Sequence, residues 1–447
     1  MEGAVVLIQI TKNKNLITIL LLIFGVTGLI GIFWVKIESS HGAKPHGVMQ
    51  SDSSTKSINR VINRPFPQNL NYPGCIKPNH VTQDEINNSL KSYYDHWRRT
   101  YLRKSNGITP GGGYYVFNRG TGGNGSEITT SEAHGYGMII FALMAGYDNQ
   151  ARDYFDGMFN MFDKHRSTGN PDNMSWIIDK SEFPSKDEHN ATDGDMDIAY
   201  ALLLAHHQWG SNGKIDYLTH ARRIISNGIK ESDISHSTKR TLLGDWSTDQ
   251  HATRISDWMI DHFKAYQEAT GDSFWKDTTT TVYDLINQIT ARYSPETGLM
   301  PDFAVGLPVR PAPPNFLEGA TDDDYSWNSC RYPWRLATDY AHYGSPETRV
   351  AVNKVVNWVK KKTQDDPGNI KAGYKLDGTP LVDYGGVAFT SAFTAACIVD
   401  SSHQSYLNAG WDDIINWKEN CYGDTINLLS MLLISGNWWA PVSQTPG

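Results

Sequence analysis

Three aspartates open the most distinctive segment of the chain, residues 191–209, which read ATDGDMDIAYALLLAHHQW. After Asp193, Asp195 and Asp197 the apolar residues recur at helical spacing. Carboxylates are ordinary at a helix start, because they interact favourably with the positive end of the helix dipole. Three aspartates within five positions repel one another, and a helix cap does not require so many carboxylates. The pattern indicates carboxylates held at the mouth of a helical scaffold, where they could act on a polar substrate.

Asp193 and Asp195 each have a structural alternative to a functional role. We expect one of them to cap the helix, since aspartate is a favoured N-cap residue. The other would then be free to hold the hydroxyl groups of a sugar. The local sequence leaves open which of the two residues does which.

Glu132 lies at the start of a second predicted helix, in ITTSEAHGYGMIIFALMAGY (residues 128–147), with Thr130 or Ser131 as the cap. The apolar turns that follow would partly bury its carboxyl group. Burial raises the pKa of a carboxyl and keeps a proton available near neutral pH, as a general acid requires. The helix dipole opposes this shift. A first-turn glutamate that only stabilises the helix end is the alternative.

Residues 318–335, EGATDDDYSWNSCRYPWR, combine four carboxylates, two Trp, two Tyr and two Arg. A solvated acidic loop would explain residues 322–324 but not the interleaved aromatic residues. A loop that presses an acid, rings and guanidinium groups onto a polysaccharide explains both.

The chain is rich in aromatic residues, with 14 Trp and 22 Tyr. Their rings can fill a core, or they can form the floor of a sugar-binding cleft. Both alternatives stay open for the five candidates for subsite walls, Trp176, Tyr136, Trp246, Trp258 and Trp334. The net charge of −8 argues against a nucleic-acid partner and permits a neutral or cationic polymer.

Hydrolysis of a glycosidic bond normally needs two carboxyl groups, one that donates a proton and one that activates water or attacks carbon. The chain supplies such candidates, whereas the GxSxG, HExxH, GxxxxGK[ST] and GxGxxG motifs of other chemistries are absent. The chemistry requires no metal and no cofactor, and the sequence shows no pattern that would hold a metal.

Helical signals dominate from about residue 81, and strand-like alternation is scarce. They predict an all-α fold with twelve helices, near 82–103, 131–146, 148–166, 194–208, 215–230, 256–270, 274–292, 333–343, 346–363, 388–399, 403–418 and 423–435. Between them lie long Gly- and Pro-rich loops, notably residues 107–130 and 301–331, and loops of this length are usually functional. This arrangement suggests six helical hairpins closed into a ring.

Residues 1–35 predict a signal peptide or an N-terminal membrane anchor. Lys12 and Lys14 precede residues 16–35, twenty residues without a formal charge, which is long enough to span a bilayer. The basic flank places the rest of the chain outside, so we expect a secreted protein, with attachment to the membrane through residues 16–35 as the alternative to cleavage. Residues 36–80 read as a polar linker or stalk, followed by a catalytic domain over residues 81–447 that we expect to be monomeric.

Four cysteines, Cys75, Cys330, Cys397 and Cys421, lack metal-ligand spacing. Export would permit disulfides, but their pairing cannot be read from the sequence, and free buried thiols are equally compatible with it.

Residues 191–209 resemble the signature of glycoside hydrolase family 8, in ATDGD (191–195), IA (198–199), ALL (201–203), Ala205 and Trp209. SEAHGYGM (131–138), TRISDWMIDHF (253–263) and CRYPWRLATDY (330–340) resemble three further blocks of that family. The similarity extends from about residue 80 to residue 440.

The resemblance implies an (α/α)6 barrel and an inverting mechanism. It assigns Glu132 as the general acid. Asp193 matches the aspartate that, in the family, grips and distorts the sugar beside the scissile bond. An inverting pair of carboxyls stands roughly 6.5–9.5 Å apart, which leaves room for the attacking water.

The chain departs from the family pattern at Asn328, where many members carry an aspartate as the base. An amide cannot take a proton from water at neutral pH. The branch that includes chitosanases and some bacterial β-1,3-1,4-glucanases has the same exchange and draws its base from a loop glutamate just upstream. Glu318 matches that position, Asn328 could orient the water, and Arg331 is expected to contact the base or the sugar.

The leading hypothesis from the sequence is an exported, endo-acting β-1,4-glycanase that cleaves chitosan, whose positive charge would be attracted by the acidic residues 322–324. The alternative is an endo-β-1,3-1,4-glucanase or an endo-β-1,4-glucanase. A second alternative, from another class, is a surface protein that binds polysaccharide without cleaving it, which Asn328 would favour.

Overall fold

A computed structural model describes residues 6–13, 16–23, 61–105, 109–118, 127–179 and 189–442. The chain divides into two units, Met1–Asn59 and Arg60–Gly447. In the first unit, Val6–Asn13 (β1) pairs antiparallel with Leu16–Ile23 (β2). The predicted apolar span continues into residues 24–35, which lie outside the described residues. No helix within the described ranges is both long and apolar enough to cross a membrane.

Twelve α-helices form the second unit, as far as the structure describes it, and each matches one of the twelve predicted helices. They are α1 (Gln83–Tyr101), α2 (Ser131–Met144), α3 (Ala151–Lys164), α4 (Thr192–Trp209), α5 (Tyr217–Arg223), α6 (Ile260–Thr270), α7 (Phe274–Tyr293), α8 (Tyr332–Tyr343), α9 (Pro346–Thr363), α10 (Val387–Ala396), α11 (Gln404–Ile414) and α12 (Cys421–Ile434). Helix α5 continues without a break as the π-helix Ile224–Asp233.

The even-numbered helices form a closed inner ring. Each of α2, α4, α6, α8, α10 and α12 packs against the next, and α12 contacts α2. The odd-numbered helices lie outside, each against an inner partner. This is the (α/α)6 barrel that the sequence predicted, built from helical hairpins.

Burial explains the difference between the two rings. In α2 every residue except Glu132 is buried, and in α12 every residue except Tyr422 is buried. An outer helix such as α9 buries one apolar stripe, which includes Val352 and Val359, and leaves its other face to solvent.

Local signals fix several helix ends. The Thr82 hydroxyl accepts the N–H of Glu85, and the Glu85 carboxylate accepts the Thr82 N–H at 2.7 Å, so α1 begins with a capping box. Helices α6 and α8 end at Gly271 and Gly344, whose φ values of 71° and 63° suit glycine.

Short strands lie among the loops that lead into the inner helices. Glu127–Thr130 (β5) pairs with Ile177–Asp179 (β6), and Thr253–Arg254 (β7) pairs with Phe303–Val305 (β8), which pairs with Arg310–Pro311 (β9). Two further strands, Leu102–Lys104 (β3) and Tyr114–Val116 (β4), form a hairpin after α1. Strand β5 runs directly into α2, so it sets where the first turn of that helix begins.

Residues 61–80 were expected to belong to a linker, but they pack on the barrel. Their backbone N–H groups bond to the C-terminal ends of inner helices: Phe66 to the Ala145 carbonyl at 2.7 Å and Leu70 to the Gly436 carbonyl at 2.7 Å. The buried Tyr72 donates its hydroxyl to the Trp438 carbonyl at 2.5 Å. This segment belongs to the folded unit because its polar groups are satisfied by the barrel. Residues 36–60 lie outside the described residues.

Helices α2 and α4 meet at two glycines. A Cβ atom on Gly194 would lie 2.6 Å from the Ser131 carbonyl carbon, and one on Gly135 would lie 2.6 Å from the Asp197 Cβ. Only glycine permits this approach. The first turns of α2 and α4 therefore lie side by side, which brings Glu132 next to Asp193.

Gly194→Ala should lower the stability of the fold. Alanine normally stabilises a helix interior by about 0.5–1 kcal/mol over glycine, but here the methyl group would overlap α2, and overpacking costs about 1–3 kcal/mol. Urea unfolding followed by circular dichroism measures the difference. An equal or higher free energy of unfolding would show that the helices do not need this close contact.

Candidate active site

A cavity of about 590 Å³ opens where the inner helices begin. Its charged walls are three carboxyl groups and two guanidinium groups. The lining residues are Thr130, Glu132, Trp176, Ala191, Asp193, Arg254, Glu318, Trp327, Asn328, Arg331 and Tyr422.

Glu132 and Asp193 lie in the first turns of α2 and α4. Thr130 caps α2, as one of the two predicted alternatives, by accepting the N–H of Ala133 at 3.3 Å. The expectation that an aspartate caps α4 is wrong, because that helix begins one residue before Asp193 and its N-cap, Ala191, has no side-chain acceptor. The Asp193 carboxylate is therefore left to face the cavity.

Arg331 connects the acids of the cavity. Its Nη1 donates to the carboxylates of Glu132 and, at 3.0 Å, Asp193, and to the Tyr136 hydroxyl at 3.3 Å. Its Nε donates to the Asn328 carbonyl at 3.1 Å, and its Nη2 to the Asn328 side-chain oxygen at 2.9 Å. The guanidinium is 3% exposed, so these anions and dipoles replace its hydration.

Glu318 approaches the same cavity from the loop after β9. Arg254 donates to Glu318 Oε1 at 2.8 Å, and the Asn328 amide donates to Oε2 at 2.8 Å. The Glu318 side chain is 48% exposed, whereas that of Glu132 is 13% exposed. Water therefore reaches the Glu318 carboxylate more readily than the Glu132 carboxyl.

Arg331 and Asn328 form a bridge between the two glutamates. One end of the bridge holds Glu132 and the other end holds Glu318. The carboxyls are thus separated by two side chains that themselves line the cavity. This arrangement differs from a directly hydrogen-bonded carboxyl pair and leaves space between the two groups.

Burial makes Glu132 a weaker acid than an ordinary glutamate. It raises the pKa of its carboxyl to about 7, against the lowering effect of Arg331 and with a smaller upward contribution from Asp193. Asp257, buried next to the cavity wall, also has its pKa raised to about 7 by burial, while Arg254 lowers it. Glu132 can therefore hold a proton up to neutral pH.

Asp302 holds the loop that carries Asn328. Its Oδ1 accepts the backbone N–H groups of Ser326 at 3.1 Å, Asn328 at 3.1 Å and Ser329 at 2.7 Å, and the Ser329 hydroxyl at 2.7 Å. Burial raises the pKa of Asp302 to about 7, although these hydrogen bonds lower it.

Asp195 was predicted to bind substrate, but the structure places it away from the cavity. It is fully buried, its oxygens accept the Met174 N–H at 2.7 Å and the Asn190 amide at 2.9 Å, and burial raises its pKa to about 8. Residues two apart on a helix point in nearly opposite directions, so Asp193 and Asp195 cannot both face the cavity. Asp195 acts as an internal acceptor for the chain that leads to Trp176.

The predicted aromatic walls divide into two groups. Trp176 lines the cavity, and the buried Tyr136 is linked to it through the hydroxyl group, which bonds to Arg331. Trp258 and Trp334 are buried in the hydrophobic core, so for these two the core alternative holds. Trp246 is 41% exposed and is not among the residues that line the cavity.

Sequence reasoning gave no role to three residues that line the cavity: Arg254, Trp327 and Tyr422. Arg254 and Trp327 lay inside segments already singled out, so their chemistry could have been weighed. Tyr422 had no such signal, because its surroundings read as an ordinary apolar helix. The four cysteines are unpaired thiols, three of them buried.

The sequence matches the profile of glycosyl hydrolases family 8 over residues 82–436. An endoglucanase from Bacillus sp. (strain KSM-330) is 43% identical over 407 residues, which cover 90% of this chain and 88% of that protein. A β-glucanase from Niallia circulans is 44% identical over 384 residues, covering 84% of this chain and 91% of the relative.

Solved structures agree with this match. A β-1,3-1,4-glucanase from Paenibacillus sp. X4 superposes with a TM-score of 0.81 at 43% identity, covering 85% of this chain and all of the other. A xylanase from Teredinibacter turnerae shares the fold at 17% identity, with a TM-score of 0.69, over 81% of this chain and 96% of its own.

The barrel, its carboxyl-lined cavity and these relatives define a glycoside hydrolase. The chain belongs to glycosyl hydrolases family 8. The hypothesis of a binding protein without catalysis is therefore set aside in favour of an enzyme.

A buried ion network lies one helical turn below Asp193. Arg335 of α8 binds both oxygens of Asp197, at 2.9 and 2.6 Å, and His262 of α6 bonds Asp197 at 2.9 Å and Asp261 at 3.1 Å. Burial alone would raise the pKa of Asp197, but Arg335 and His262 lower it below its ordinary value. The network joins α4, α6 and α8 beneath the cavity.

Asp197→Asn should destabilise the protein by about 3–5 kcal/mol at pH 7, because breaking a buried ion pair leaves Arg335 uncompensated. The pKa of Asp197 is lowered in the folded state, so its stabilising effect is present above its unfolded pKa and is lost as the pH falls through the folded pKa. Urea unfolding at several pH values measures both. Asp412→Asn, which removes an exposed partner of His80, is the control and should cost less than about 1 kcal/mol. Equal effects of the two substitutions would contradict the role of the network.

Proposed function

We propose that this protein is an endo-β-1,3-1,4-glucanase that cleaves its glucan with inversion at the anomeric carbon. The observation that carries the proposal is the placement of Glu132 and Glu318 on one cavity, at opposite ends of the Arg331–Asn328 bridge. The relatives at 43–44% identity are named an endoglucanase and a β-glucanase, and the similar solved structure is named a β-1,3-1,4-glucanase. An endo-β-1,4-glucanase is the second candidate, supported by the name of the Bacillus relative.

Chitosan, the substrate favoured from the sequence, has no support among these relatives. The charge argument for it is also weakened by the position of the acidic run. Asp322 is buried and its oxygens are occupied by backbone N–H groups, so it presents no free charge to a polymer. Burial and the neighbouring Asp323 raise the pKa of Asp324 to about 6.

The charges of the cavity itself nearly cancel. With Glu132 protonated, two carboxylates, Asp193 and Glu318, face two guanidinium groups, Arg254 and Arg331. A cationic polymer gains little from such a site, whereas a neutral glucan enters it without a charge penalty. This balance favours a glucan over chitosan.

Glu132 is the proposed general acid. Its raised pKa keeps the carboxyl protonated near neutral pH, and it donates that proton to the leaving glycosidic oxygen. Arg331, bound to the same carboxyl, stabilises the carboxylate that remains after the transfer.

Glu318 is the proposed base. Its half-exposed carboxylate can meet a water molecule, take one of its protons and so direct its oxygen to the anomeric carbon. Asn328 cannot remove the proton, but its amide holds Glu318 Oε2 at 2.8 Å and so helps to orient the base. Asp193, which accepts from the same Nη1 atom of Arg331 as Glu132, is the residue proposed to grip a sugar hydroxyl.

The same proposal includes export. Lys12, Lys14 and the apolar residues 16–35 support delivery to the outside of the cell.

The substrate assignment predicts faster release of reducing ends from lichenan than from carboxymethyl cellulose or chitosan. Viscosity should fall early, as random internal cleavage requires, and proton NMR of the first product should show the α-anomer. Release from chitosan that exceeds release from lichenan would reject the glucanase assignment, and a first product in the β-anomer would reject inversion.

Glu132→Gln should lower kcat on lichenan by roughly 10²–10⁴-fold with little change in polymer binding, because only proton donation is lost. In the unsubstituted enzyme, kcat/KM should fall as the pH rises through about 7, where Glu132 loses its proton. Initial rates between pH 4 and 9 and affinity electrophoresis in a lichenan gel measure both. Turnover by Glu132→Gln close to that of the unsubstituted enzyme would remove Glu132 from the mechanism.

A further inference from the structure

We propose that Asp322 is a positioning residue for Glu318, and this inference rests on the proposed function of Glu318 as the base. Its two oxygens accept three consecutive backbone N–H groups: Leu317 at 2.7 Å and Glu318 at 3.0 Å on Oδ2, and Gly319 at 3.0 Å on Oδ1. One buried carboxylate thus clamps the backbone on both sides of the base and at the base itself.

Few other contacts hold the backbone of this part of the loop: the Gly319 carbonyl accepts the N–H groups of Asn315 at 2.7 Å and Asp322 at 3.3 Å. The side chains of Leu317 and Glu318 are 42% and 48% exposed, and a Cβ atom on Gly319 would meet nothing within 4 Å. Phe316 packs on Phe303, which anchors the loop just before the clamp but not within it. Asp322 is therefore the chief support of the Glu318 backbone, whereas Arg254 and Asn328 hold its carboxylate.

Asp322 is hydrogen-bonded to the β7–β8 strand pair, which also carries Arg254, the ion-pair partner of Glu318. The Asp322 carbonyl accepts the N–H of Phe303 in β8 at 3.0 Å, and Phe303 pairs in register with Arg254 in β7. Arg254 in turn binds Glu318 Oε1 at 2.8 Å. The backbone of Glu318 is thus connected to β8 through Asp322, and its carboxylate is connected to β7 through Arg254. Because these two strands are paired, they fix the position of the base relative to the cavity.

The effect of this arrangement falls on the chemical step rather than on binding. A shift of the base by about 1 Å can cost roughly 10²-fold in rate, since water and base must be aligned in the transition state. The cavity-lining residues Trp176 and Asp193 lie on other segments of the chain, so their proposed contacts with the glucan should be preserved when the clamp is removed.

The test compares kcat, KM and the thermal unfolding midpoint on lichenan for Asp322→Ala, Asp322→Asn and Asp323→Asn. We expect Asp322→Ala to lower kcat roughly 100-fold with KM within about threefold, and Asp322→Asn, which keeps one acceptor oxygen, to fall between it and the unsubstituted enzyme. Asp323→Asn is the matched control, because it makes the same change of charge one residue along and outside the clamp, and it should leave kcat within about twofold.

Combination with Glu318→Gln separates positioning from a general structural role. If Asp322 acts through Glu318, adding Asp322→Ala to Glu318→Gln should lower the residual kcat no further than about threefold. A double variant that loses as large a factor again, or an Asp322→Ala enzyme with kcat near that of the unsubstituted enzyme, overturns the inference. If Asp322→Ala does not fold, Asp322→Asn is judged by the same criteria.

The same set distinguishes failure of this inference from failure of the proposed function. Retained activity of Glu318→Gln would remove Glu318 as the base and with it the ground for the clamp. Loss of activity in Glu318→Gln together with full activity in Asp322→Ala would reject the clamp alone.

Discussion

The pairing of the buried Arg331 guanidinium is the constraint on which the rest of the site depends. A cation that is 3% exposed must be surrounded by anions and dipoles, and here these come from α2, from α4 and from the loop before α8. The close contact of α2 and α4 at Gly194 brings Glu132 and Asp193 to one side of it. The acidity of Glu132 is a balance between burial, which raises its pKa, and this single cation, which lowers it.

The two glutamates of the cavity have opposite surroundings, which suits opposite proposed roles. Glu132 begins a helix of the inner ring and is mostly enclosed, so a proton is retained near neutral pH. Glu318 lies on an exposed loop, where it pairs with Arg254 within reach of water. Differences of environment of this kind are what separates acid from base among chemically similar residues.

Much of the architecture could be predicted from the sequence, because inner and outer helices differ in how completely they are apolar and because caps such as Thr82 mark their starts. The acids of α4 could be predicted as a group but not one by one. Asp193 faces the cavity, Asp195 points away from it, and Asp197 lies one turn deeper in an ion network. The spacing of two and four residues contains this distinction, but only once the helix start at Thr192 is known.

Which aromatic residues line the cavity and which are buried in the core could not be predicted, because the residue type does not indicate which side of a helix faces the core. Trp258 and Trp334 are buried, while Tyr422 is the one residue of α12 that is not. The residues that hold the loops of the site in place were equally difficult to predict from the sequence. Asp302 and Asp322 act through backbone N–H groups that become neighbours only when the loops fold onto β8.

Residues 61–80 pack on the barrel, so the folded domain begins before its first helix. They cross the C-terminal ends of α2, α4, α10 and α12, opposite the cavity, through bonds to the carbonyls of Ala145, Gln208, Ile398 and Gly436. The family match begins only at residue 82. The stretch that folds together begins earlier, at residue 61, so the barrel has a floor made from chain that precedes its first helix. A domain boundary drawn at the start of the family match would cut that floor away.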